Sequence, residues 1–88
     1  MTEADELFAQ RLADDLARIL GTGIFIDDLD LGADDDAPAR IRVVCLFDGR
    51  SEILEAEGET RIDAYTKLVR AAAELRLAIA MRNMIAPT

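Results

Sequence analysis

Asp48-Gly49 stands between two runs, Arg40–Phe47 and Ser51–Gly58, in which apolar and polar residues alternate. An Asp-Gly pair in that setting signals a two-residue hairpin, because a type I′ turn needs positive φ at both central positions. A two-residue turn then dictates every cross-strand pair. On one face Phe47 opposes Arg50, Cys45 opposes Glu52, Val43 opposes Leu54 and Ile41 opposes Ala56. On the other, Leu46 opposes Ser51, Val44 opposes Ile53, Arg42 opposes Glu55 and Arg40 opposes Glu57. The first face is the core candidate. The second sets two opposite-charge pairs directly across from each other, each worth ~0.2–1 kcal/mol, and reads as a solvated face.

Helical periodicity flanks this hairpin. Phe8, Leu12, Leu16, Ile19 and Leu20 recur at spacings of three and four, predicting a helix from Glu3 to Leu20. Carboxylates at Glu3, Asp5 and Glu6 suit its first turn, and Gly21 suits its end. Ile24-Phe25-Ile26 reads as a short strand that extends as far as Leu31, and Gly32–Pro38 as a loop. Thr60 followed by Asp63 is a variant capping box, opening a second helix that runs to about Asn83. Tyr65, Leu68, Val69, Ala72, Leu75 and Ile79 form its buried stripe, and Asp63, Lys67, Arg70 and Glu74 a polar one. The polar stripe stops at Leu77, Ala78 and Met81, so the second half of the helix is apolar nearly all round. Such a segment is covered by the first helix or meets another chain. The fold class is therefore α+β, in the order α-β-β-β-α, with a three-stranded antiparallel sheet packed by two helices. The charge pairs on the second sheet face favour a two-layer arrangement with both helices on one side.

Eighty-eight residues make a single domain, 1–88, with a core of limited size. The hydrophobic share of 51% is too high for a disordered chain despite a net charge of −8. No apolar run approaches the ~20 residues needed to span a bilayer, and Met1–Glu6 lacks the basic start of a signal peptide. The single Cys45 fits a reducing compartment, so a cytoplasmic chain is expected. There is no histidine, no glycine-rich phosphate loop and no Cys-x-x-Cys motif, which argues against an enzyme and against any cofactor. Cys45, mid-strand on the core face, reads as a small buried apolar residue.

All of the excess negative charge lies in residues 1–39, which carry −9, while residues 40–88 carry +1. Its focus is Asp27, Asp28, Asp30, Asp34, Asp35 and Asp36, six aspartates in ten residues with no base among them. Asp28-x-Asp30-x-Gly32 starts like a calcium loop but puts a glycine at the third ligand position, so no metal is assigned. Carboxylates at ~3.5 Å per residue in an extended segment approximate the ~3.4 Å phosphate pitch of a nucleic-acid strand. A basic groove on another protein would read them as a backbone. The plainer alternative is a loop that keeps a small apolar domain soluble.

Gly58, Thr60, Arg61 and Ala64 at the start of the last helix, with Ala72 further on, resemble the double-stranded RNA-binding domain, whose element order is the same. The resemblance implies that fold. It does not carry RNA binding over, because the family's second and third lysines, which touch phosphates, fall here on Ile62 and Tyr65. In length, acidity and element order the chain is also similar to small bacteriophage proteins, among them acidic inhibitors of host defence. The expectation is a non-catalytic interaction protein that binds a basic protein surface through the aspartates, as a phage-type inhibitor or nucleic-acid mimic, without touching nucleic acid or membrane itself. The alternative is a homodimeric scaffold or assembly protein using Leu77, Met81, Met84 and Ile85.

Overall fold

The runs on either side of the hairpin pair as antiparallel strands β2 (Ala39–Phe47) and β3 (Arg50–Gly58). Their register is the one the two-residue turn demands, from Phe47 opposite Arg50 to Arg40 opposite Glu57. Gly49 takes φ +79°, a value that L side chains rarely adopt. The structure, a computed structural model, describes residues 2–47 and 49–85, without the side chains of Phe47, Asn83 and Ile85. Asp48, the other half of the turn signal, lies outside the described residues.

Strand β1 (Ile24–Asp30) pairs antiparallel with β2, making a sheet in the order β1-β2-β3. The pairing slips by one residue between Ile26 and Asp28. This bulge is written in the sequence: Ile24 and Ile26 turn inward, then Leu29 and Leu31, with one residue too many between them. The extra residue, Asp27, leaves two successive aspartates beside arginines of the outer face. Arg42 reaches Asp27 at 3.6 Å and Arg40 reaches Asp28 at 3.7 Å.

Helices α1 (Glu3–Leu20) and α2 (Arg61–Ile85) cover the inner face, α1 over β1 and α2 over β3 and β2. Leu12 and Leu16 from α1, Ile41, Val43 and Cys45 from β2, and Ala64, Leu68 and Ala72 from α2 form the core. The layers are thus the expected two. The two helices run parallel: Arg61 meets Asp5, Tyr65 stacks edge-on to Phe8 at 5.5 Å, and Arg76 donates to the Ile19 carbonyl at 2.8 Å. That last contact also sets a cation on the negative end of α1.

Both helix starts are capped as hydroxyl N-caps require. Thr2 accepts from the Asp5 N–H at 3.1 Å and Thr60 from the Asp63 N–H at 3.1 Å. Asp63 returns the favour by accepting from the Glu59 N–H at 3.1 Å. Gly58 is there because nothing larger fits: a Cβ at that position would sit 2.4 Å from the Ala64 nitrogen. The end of β3 and the first turn of α2 pass each other in contact.

One apolar row departs from a wholly solvated outer sheet face. Phe25, Val44 and Ile53 are register partners across all three strands, and Phe25 and Ile53 are exposed. The charged rows at Arg40 and Arg42 occupy only the other end of that face, because the alternation of the strands gives the outer face whatever residues fall between core positions. No described helix is long and apolar enough to cross a membrane.

Candidate functional site

The six aspartates do not form one free surface. Asp27 and Asp28 pair with Arg42 and Arg40 on the outer sheet face. Glu55 holds Arg42 more closely, at 2.7 Å, and that hydrogen bond together with the glutamate's charge keeps the guanidinium pKa raised. Asp30 accepts from the Gly32 N–H at 3.2 Å and Asp34 from the Asp36 N–H at 2.9 Å, two local turns that aspartate side chains favour. Asp35 lies 3.4 Å from Arg61. Only Asp36 has no side-chain partner among the described residues. Five of the six thus have a role inside the fold, although the turn at Asp34–Asp36 is itself exposed. Among the described residues no three acidic or thiol side chains gather as a metal site would require.

Arg61, read in the sequence only as part of the α2 start, is the residue whose role there was missed. Its side chain is 11% exposed and joins three segments. It reaches Asp5 at 3.3 Å, the Leu31 carbonyl at 3.2 Å and Asp35 at 3.4 Å, while its Nε has no partner. The start of α1, the end of β1, the aspartate turn and the start of α2 are fastened at this one guanidinium.

The C-terminal residues are placed differently. Arg76 is level with Ile19, so α1 ends there and residues 77–85 run on for about 13 Å. Leu77, Met81 and Met84 are 61%, 50% and 84% exposed. The first helix therefore does not cover the apolar segment. Ile85, named with them, ends α2, and its side chain lies outside the described residues.

At the opposite end of the helix layer, α1 and α2 frame a cleft of about 460 Å³ lined by Phe8, Arg11, Asp15, Ile62 and Tyr65. The Tyr65 hydroxyl donates to Asp15, which fixes the ring against Phe8. Ile62 is 64% exposed at the rim, and Leu7 is exposed nearby. Neither Ile62 nor Leu7 was anticipated as a surface residue of interest. The usable signal was an apolar residue lying outside the buried stripe of each helix.

Cys45 is fully buried, and its burial pushes the thiol pKa up, with Glu52 adding to the effect. A buried, protonated thiol is a poor nucleophile. Compared with known proteins, the chain matches no family model, no curated protein and no solved structure.

Proposed function

We propose that this chain is a non-catalytic, cytoplasmic interaction module that acts as a homodimer, its helix layer forming the interface. The observation that carries the reading is the exposure of Leu77, Met81 and Met84 on a helix that outruns its neighbour. Large apolar side chains clustered on one exposed helix mark a site of association. Burying the three would contribute roughly 1.5–3 kcal/mol each if it were complete. Sedimentation of the intact chain and of Leu77→Asp tests it: the reading requires a dimer that the charge abolishes.

A second reading is that the acidic segment binds a basic protein surface, in the manner of a phage-type inhibitor that competes with nucleic acid. It is favoured by the turn Asp34–Asp36, exposed throughout and held in place by Arg61. Its mark is a partner recovered from lysate at low salt, lost at high salt, and lost when the six aspartates become asparagine.

A further inference from the structure

We propose that two copies of this chain meet through their helix layers, each α2 antiparallel to the other about a two-fold axis at Ala73. The proposal rests on the homodimer reading and supplies its geometry.

Ile62, Ala73 and Met84 stand eleven residues apart on α2. Thr66 and Leu77, and Val69 and Ala80, repeat the same interval between them. Eleven residues are close to three turns, so all seven fall on one line down the helix, about 33 Å long. None is charged. Val69 is half-buried and the rest are exposed. Thr66 satisfies its hydroxyl on the Ile62 carbonyl at 2.9 Å, so it asks nothing of a partner.

Three features say that the occupant of this line is a second copy. The first is its order, which reads alike from both ends. Turned about Ala73, Ile62 faces Met84 of the other copy, Val69 faces Leu77, and the small Ala73 faces itself where the helices approach most closely. The second is charge. Arg70 and Glu74 flank Ala73, are exposed, and take part in no ion pair among the described residues. The same rotation keeps both residues on one flank of the seam and brings Arg70 of each copy to Glu74 of the other. The third is the cleft. Met84, which overhangs its own α1, is carried onto Ile62 at the rim of the Phe8–Tyr65 cleft of the other copy. Methionine fits such an irregular apolar gap and makes favourable contacts with aromatic rings. Two helices side by side give a face about 20 Å by 30 Å, the scale of the roughly 800 Å² per partner that specific interfaces bury.

Single cysteines on the full-length chain test the axis, with buried Cys45 left in place. Packed helix axes stand about 8–10 Å apart and Cα atoms about 2.3 Å off the axis, so two facing Cα atoms come within disulfide reach. Oxidation of Ala73→Cys is expected to yield a covalent dimer. Thr66→Cys is expected to stay uncrosslinked, because the two copies of position 66 stand about 21 Å apart along the helices. Arg70→Glu should weaken dimerisation by about tenfold, and adding Glu74→Arg should restore it. Crosslinking at position 66 as readily as at 73, or none at 73 in a chain that sediments as a dimer, overturns the axis and leaves the homodimer standing. A chain that is monomeric at all concentrations, including one that captures only a foreign helix, overturns both.

Discussion

The guanidinium of Arg61, the first residue of α2, lies 3.3 Å from the carboxylate of Asp5 in the first turn of α1. Fifty-six residues separate them, and both are largely shielded from water. The same guanidinium takes the Leu31 carbonyl and Asp35. Hydrogen bonds to charged groups contribute about 1.5–3 kcal/mol. Arg61→Ala should lower the unfolding free energy by about that amount in urea denaturation. Arg61→Lys should fall between, because a point-like ammonium lacks the fork that spans several acceptors. An unchanged urea midpoint for Arg61→Ala would mean that this junction is decorative.

Gly58→Ala should be costly for a different reason. The added methyl would meet backbone atoms of Asp63 and Ala64, which are not free to swing aside. A loss of about 1–3 kcal/mol follows from overpacking. Gly23→Ala is the matched control, since a Cβ there meets nothing within 4 Å. It should move the urea midpoint by less than about 0.5 kcal/mol equivalent.

The α2 N-terminus also gives a pH signature. Accepting the Glu59 N–H, and secondarily the nearby Lys67 ammonium, holds the Asp63 carboxyl below its ordinary value of 3.8. A depressed carboxylate stabilises the fold fully above its unfolded pKa and loses that contribution as pH falls through the folded one. Melting temperatures of the intact chain and Asp63→Asn should therefore differ at neutral pH and converge in acid below 3.8. A gap that stays constant across that range would remove Asp63 from the account.

Cys45 should be inert in the native state. Its burial and raised pKa leave little accessible thiolate. Labelling by a thiol reagent should proceed only as fast as the chain opens, and should accelerate with urea. Rapid stoichiometric labelling in buffer would show that β2 is not the packed centre of the sheet.

Leu77→Asp and Met81→Asp should each yield a monomer whose own stability changes by no more than about 0.5 kcal/mol, since both side chains are half or more exposed within one chain. Replacing all six aspartates of residues 27–36 with asparagine should leave the dimer intact. Dissociation by the asparagine variant, with the Leu77 variant unaffected, would reverse the roles assigned to the two regions.

Much of the fold was legible because strong local signals agreed. Asp48-Gly49 specified the register of β2 and β3, and the Thr60–Asp63 box placed the start of α2. The Thr2–Asp5 pairing repeats that cap at α1 and was open to the same reading. The bulge at Asp27 was harder, since an extra residue looks like broken alternation until the partner strand is known. The aspartates were visible as a block of charge, but their partners Arg40, Arg42 and Arg61 come from other elements, and only the tertiary fold supplies them. Arg61 was visible at the start of α2, but nothing local shows that its guanidinium turns back onto Asp5, Leu31 and Asp35. Leu77 and Met81 were recognisable as surplus apolar residues, but the point at which α1 stops beside α2 depends on how the helices dock.

Sedimentation equilibrium of the unmodified chain, from about 1 to 100 µM, addresses the central claim most directly, because association of this kind shifts with concentration by mass action. Dimerisation predicts a mass rising to twice the 9.7 kDa of the chain and no further. A mass that stays at 9.7 kDa throughout would contradict it.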